Sequence, residues 1–130
     1  MAKVVLITGG SRGIGAATAL LAAERGYDVC ISYVANETAA QNVVQQIEAL
    51  GRKALAVQAD IALELDIFNL FETVDKTLGR LDAVVNNAGI LDKQTSVENI
   101  ELERLQRVFA TNVFGSFLCA REAVKRMSTR

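Results

Sequence analysis

The stretch Val4-Val5-Leu6-Ile7-Thr8-Gly9-Gly10-Ser11-Arg12-Gly13-Ile14-Gly15-Ala16-Ala17-Thr18-Ala19-Leu20-Leu21-Ala22 decides the fold. Its first four residues are a short apolar run of strand type. Glycines at 9, 10, 13 and 15 then make a turn, and a small-residue helical pattern follows. Strand, glycine turn and helix in that order open a unit whose next strand lies parallel to the first.

The alternation continues down the chain. Lys3–Thr8 reads as a buried strand and Gly13–Arg25 as a helix stopped by Gly26. Asp28–Tyr33 is a second strand. Asn36 offers an N-cap to a helix with Ala40, Val43, Val44, Ile47 and Leu50 on its apolar positions, ended by Gly51. Lys53–Gln58 is a third strand. Ile67, Leu70, Phe71, Val74 and Leu78 share one face of a helix over about 63–78, ended by Gly79. Asp82–Asn86 is a fourth strand, followed by a polar loop over about 90–97. A helical region then runs from about Glu98 to Met127, with a candidate break at Thr111-Asn112. Such alternation predicts an α/β fold: a doubly wound, Rossmann-type parallel sheet with strand order 3-2-1-4 and helices on both faces. A ligand belongs at the carboxyl ends of the strands, where the order switches between strands 1 and 4.

Composition narrows the function classes. At 130 residues one domain is the natural count. The charges nearly cancel, 14 basic against 15 acidic, so no electrostatic footprint for nucleic acid exists. No apolar run reaches the roughly 18 residues of a membrane span, and no signal-peptide pattern opens the chain. A membrane partner is therefore not expected. The chain has no histidine, and Cys30 and Cys119 stand apart in apolar stretches. These read as buried thiols of a reducing, cytoplasmic compartment, with no metal site.

The glycine turn has two readings on its own. It is a structural turn, or it is a phosphate cradle, where missing Cβ atoms let backbone N–H groups and a helix N-terminus approach an anion. The spacing Gly9-x-x-x-Gly13-x-Gly15 is neither the general dinucleotide fingerprint nor a P-loop. Three later elements also carry two readings each. Asp60-Ile61 after the third strand holds a helix N-cap or a ligand acceptor. Asn86-Asn87-Ala88-Gly89 after the fourth is a turn or a ligand ledge. Asn112, within Thr111-Asn112-Val113-Phe114-Gly115, is a polar residue at a kink or a site residue.

Taken together, in this order and at these intervals, the four elements resemble the classical short-chain dehydrogenase/reductase family, and the overall flavour is similar to its 3-oxoacyl carrier-protein reductase branch. The resemblance runs from Lys3 to about Met127 and implies an NADP(H)-binding Rossmann half-domain over residues 1–130. It implies an oxidoreductase acting on a small-molecule carbonyl or alcohol. By the same resemblance Gly9, Ser11, Gly13, Ile14 and Gly15 would line the pyrophosphate. Asp60 would accept from the adenine amino group with Ile61 beside it. Asn87, Ala88 and Gly89 would pass the adenosine ribose, and Asn112 would help hold a water of the proton relay. Family members commonly form dimers or tetramers, so a homo-oligomer is expected.

The choice of cofactor turns on the end of the second strand. A carboxylate there favours the ribose 2′-hydroxyl of NAD, and a basic group nearby favours the 2′-phosphate of NADP. Here the strand ends Ser32-Tyr33-Val34-Ala35, with no acid, and Arg12 supplies a guanidinium suited to phosphate. Arg12 is alternatively a solvated loop charge. Ser32 and Asn36 could add hydrogen bonds, and Glu37 falls in the first turn of the next helix. NADP is expected over NAD.

The family's serine and Tyr-x-x-x-Lys would normally follow the stretch read here. Tyr27 is followed at i+4 by Ile31 and Tyr33 by Glu37, so the pair is not within these residues. The expected sheet is therefore truncated before strand 5, leaving strand 4 at an edge and Val108, Phe109, Val113, Phe114, Phe117 and Leu118 without full cover. Two explanations fit: part of a longer enzyme, or a stand-alone half that dimerises. The corresponding functions are the oxidoreductase, inactive as this stretch alone, and a non-catalytic nucleotide-binding or regulatory module.

Overall fold

A computed structural model describes residues 2–127; residue 1 and residues 128–130 of the expected domain lie outside the described residues. Four strands, β1 (Val4–Ile7), β2 (Asp28–Tyr33), β3 (Ala54–Gln58) and β4 (Ala83–Val85), form one sheet in the order β3-β2-β1-β4. All three pairings are parallel, with Val5 opposite both Val29 and Ala83. This is the expected doubly wound order. β1 is buried along its whole length, which is why its sequence is an unbroken apolar run rather than an alternating one.

The sheet divides the core into two layers. Val5, Ile7, Val29 and Ile31 face α1 (Gly13–Glu24) and α2 (Glu37–Ala49), meeting Ala19, Ala23, Ala40, Val43 and Ile47. Val4, Leu6 and Cys30 face the other way, towards α3 (Glu64–Thr77) and α5 (Ser116–Met127). There they join Ile67, Leu70, Phe71, Val74 and Cys119. Both cysteines are fully buried and unpaired. The apolar positions of α2 and α3 thus face the core as their spacing put them, except Leu50, which is the exposed C-cap of α2 because the helix ends there. Asn36 caps α2 as expected, its Oδ1 accepting from Ala39 N at 2.9 Å, and Glu37 lies in the first turn.

Two regions differ from expectation. Strands β1, β3 and β4 are one or two residues shorter than the expected Lys3–Thr8, Lys53–Gln58 and Asp82–Asn86, although the flanking Lys3, Thr8, Lys53 and Asp82 still make backbone bonds to the neighbouring strands. The last helical region is not one helix with a break. Val97–Asn99 forms a single 3₁₀ turn, and Ile100 and Glu101 are extended. α4 (Leu102–Phe109) then passes through a π-helical turn, Ala110–Gly115, into α5 without losing its winding. The expected break at Thr111-Asn112 is this wider turn.

Candidate functional site

The carboxyl ends of β1 and β4 meet at Thr8, one residue past β1. Thr8 is buried, and its Oγ1 accepts from Asn87 N at 3.1 Å and Ala88 N at 3.0 Å. The Asn87 side chain returns the contact: its Nδ2 donates to the carbonyls of Thr8, at 3.2 Å, and Gly9, at 3.0 Å. From the other side, the Ser32 hydroxyl at the end of β2 accepts from Gly9 N at 3.0 Å, and the Ser32 carbonyl accepts from Gly10 N at 3.0 Å. The glycine turn is therefore held on both flanks by its neighbouring strands.

These bonds explain the glycine spacing. Gly9 and Gly13 take φ values of 65° and 58°, a region that side chains disfavour. At Gly15 the reason is distance. A Cβ there would overlap the Gly9 carbonyl oxygen and lie 2.6 Å from Asn87 Nδ2. Glycine thus lets α1 start directly against the turn.

What remains at the start of α1 is a set of unused donors. Arg12 is the N-cap, but its side chain makes no capping bond, and the first backbone bond into the helix is Ala16 N to Arg12 O at 3.2 Å. The N–H groups of Gly13, Ile14 and Gly15 come before it, so they are the orphan donors of the helix end, backed by its dipole. Gly13 and Ile14 are exposed, and Arg12 is exposed beside them with no ion pair among the described residues. No Cβ fills the approach to Gly13. Donors, cation and open backbone fit a phosphate diester. Ser11 is half-buried in the same turn.

The flanking candidates fall at the same end of the sheet. Ser32 is buried, so its hydroxyl serves the turn directly, and Tyr33 is half-buried against the α1–α2 layer. No acid stands at Ser32-Tyr33-Val34-Ala35. Asp60 does not cap α3, whose N-cap is Leu63. Its Oδ1 instead accepts from Ala62 N at 2.9 Å, and its own N–H donates to Asp66 Oδ2 at 2.8 Å. Oδ2 of Asp60 takes no hydrogen bond among the described residues. Ile61 is buried. Asn112, inside the π-helical turn, clamps the loop after β4: Oδ1 accepts from Ile90 N at 2.7 Å, and Nδ2 donates to Ile90 O at 2.8 Å. A Cβ on Gly89 would lie 3.4 Å from Asn112 Oδ1.

Three supporting roles escaped the sequence reading, two of them at residues, Thr8 and Asn86, that stand in its motifs. Thr8 is the pivot of the turn, Asp66 holds the Asp60 backbone, and Asn86, just past β4, donates to Ser116 O at the start of α5 at 3.1 Å. Thr8 had a signal, its place before the first glycine. Asp66 and Asn86 act through backbone partners that no spacing reveals.

Comparison with known proteins agrees with this fold. The family model described as short chain dehydrogenase matches residues 3–130. An uncharacterised oxidoreductase of Escherichia coli (strain K12) is 52% identical over 127 residues, 98% of this chain and 51% of its own length. A 3-oxoacyl-[acyl-carrier-protein] reductase of Synechocystis sp. is 43% identical over 126 residues, 97% of this chain and 51% of its own. A solved short chain dehydrogenase of Burkholderia cenocepacia J2315, in complex with NADP, superimposes with a TM-score of 0.92 at 41% identity. That match covers 96% of this chain and 51% of that one. The chain spans about half the length of the curated relatives it matches.

Proposed function

Because the chain belongs to the short chain dehydrogenase family, we propose that it carries the cofactor site of an NADP(H)-dependent oxidoreductase acting on a small-molecule carbonyl or alcohol. The observation that carries this reading is the open N-terminus of α1, with its orphan donors at Gly13, Ile14 and Gly15 and the free guanidinium of Arg12. These would hold the pyrophosphate, with Ser11 at the turn. Support for NADP over NAD is the basic Arg12 together with the lack of an acid at the end of β2. A structural neighbour holding NADP points the same way.

The remaining residues divide the cofactor between them. Asp60 Oδ2 would accept from the adenine amino group beside Ile61. Tyr33 and the backbone of Asn87, Ala88 and Gly89 would flank the adenosine ribose, and Ser32 would act by holding Gly9 in place. Asn112 Oδ1 retains a second lone pair for a relay water. When bound, the nicotinamide supplies or accepts the hydride. A carbonyl substrate class is supported by the relative named as a 3-oxoacyl reductase.

Two further parts belong to the proposal. Phe109, Phe114 and Phe117 are exposed along α4, the π-helical turn and α5, which supports a homo-oligomer or cover by further chain. Two buried free thiols suit the cytoplasm. No helix among the described residues is long and apolar enough to cross a membrane.

The test is NADPH oxidation by the full-length protein against a panel of aldehydes, ketones and 3-oxoacyl thioesters. Turnover of at least one class with NADPH is expected. Binding without any turnover would leave a non-catalytic nucleotide module, and no nicotinamide binding would remove the proposal.

A further inference from the structure

One close approach lies away from the glycine turn, at the edge of the core layer that contains Ile61. Gly115 closes the π-helical turn, is buried, and lies against Ile61. A Cβ at Gly115 would overlap Ile61 Cγ2 and lie 2.6 Å from the Ile61 carbonyl oxygen. The second contact is to backbone, so a side-chain rotation does not relieve it. The turn thus rests directly on the loop after β3, the loop that carries Asp60.

The other side of the same turn rests on the loop after β4. Asn112 holds both backbone groups of Ile90, and Asn86 reaches Ser116 O. On a regular α-helix, Asn112 and Gly115 would stand only about 60° apart around the axis. The wider π winding spreads them further, so that one turn touches both loops. Such turns concentrate at functional sites. Both contacts are stiff: one is backbone on backbone, and the other is a reciprocal pair of hydrogen bonds.

We propose that Gly115 is a positioning residue. It fixes the spacing between the Asp60–Ile61 loop and the turn that carries Asn112, so that occupancy of the adenosine end steadies Asn112 and Ile90. The coupling rests on the nucleotide reading above. Its content is that a ligand confined to one end of the site is felt at the other, through a turn seated against both loops. Gly115 itself touches neither cofactor nor substrate.

The experiment uses the full-length protein and 2′,5′-ADP, a ligand with only the adenosine half. Hydrogen exchange of the segment containing Ile90 is read by mass spectrometry with and without it, in wild type, Gly115→Ala and Gly51→Ala. Gly51 is a remote control at positive φ in open space, so G51A reports a general loss of stability without touching the Ile61 contact; Gly115 itself is not at positive φ, and in G115A the clash with Ile61 is the perturbation. The expected result is a protection gain of about fivefold or more in wild type and G51A, lost in G115A even where G115A still binds 2′,5′-ADP. Binding without a protection gain in wild type, or a gain that survives in G115A, would overturn the coupling and leave the nucleotide reading standing. Failure of wild type to bind either 2′,5′-ADP or NADPH would overturn the nucleotide reading and the coupling with it.

Discussion

Asn87 spends both hydrogens of its side-chain amide on the carbonyls of Thr8 and Gly9, and its backbone N–H on Thr8 Oγ1. The sequence marks Asn87 by its place after the fourth strand, but the partners lie far back in the chain, where no periodicity points. Asn87→Ala leaves two carbonyls at the turn without donors. It is expected to lower stability by about 1–3 kcal/mol, read by urea denaturation, and to weaken nucleotide affinity in parallel. The cysteines are legible from their apolar surroundings alone. Burial pushes the Cys30 thiol to about 12, and burial with the nearby Glu122 charge pushes Cys119 to about 11. Neither forms appreciable thiolate near neutral pH, so a thiol reagent should label both only after unfolding. Rapid labelling of the native protein would contradict their placement.

Between helices, the informative feature is how α5 is fastened to α3. Glu122 is almost fully buried and accepts from Arg126 Nη1 at 2.9 Å, Arg121 Nε at 3.0 Å and Lys125 Nζ at 3.4 Å. Arg126 also reaches Asp75 at 2.8 Å and lies 5.2 Å over the Phe71 ring, and Arg121 reaches Glu64 at 2.8 Å. Burial alone would raise the Glu122 pKa, but the three cationic donors outweigh it and hold it below the ordinary 4.5. A carboxylate whose pKa drops on folding stabilises above its unfolded value, and that stability is lost as pH falls through the lower folded value. Acid titration of stability should therefore show a loss below about pH 4.5 that is smaller in Glu122→Gln; an unchanged acid limb would contradict the role. The sequence carries this cluster only as a charged helix face, because the spacing within α5 does not say which helix it meets. The π-helical turn was legible only as a disturbance at Thr111-Asn112, since the partner of Asn112, Ile90, lies 22 residues back in the chain.

At the scale of the molecule, strand order and helices on both faces were readable because buried parallel strands are unbroken apolar runs and α2 and α3 carry 3.6-residue apolar faces. The surface left over was readable too. β4 has no partner on its outer edge among the described residues, and Phe109, Phe114 and Phe117 are exposed. Val108, Val113 and Leu118 are half-covered, and Leu118 packs on the core. Expressed as these residues alone, the chain should self-associate at micromolar concentration, and Phe117→Asp should shift sedimentation towards monomer. A wild-type monomer at all concentrations would contradict an interface there. The ligand itself was not legible from any one motif. The glycine turn alone keeps two readings; what supports the ligand reading is that Arg12, Gly13 and Ile14 meet at an uncapped helix end beside the carboxyl edge of β1.

The most direct test of that convergence is calorimetric titration of the full-length protein with NADPH and NADH, in wild type and Arg12→Ala. The account predicts that wild type binds NADPH more tightly. Arg12→Ala should lose about tenfold or more of NADPH affinity while NADH binding stays nearly unchanged, since only the charged contact to the 2′-phosphate is removed. Equal affinity for the two cofactors in wild type, or equal losses in Arg12→Ala, would contradict Arg12 as the phosphate reader, and no binding of either would contradict the site.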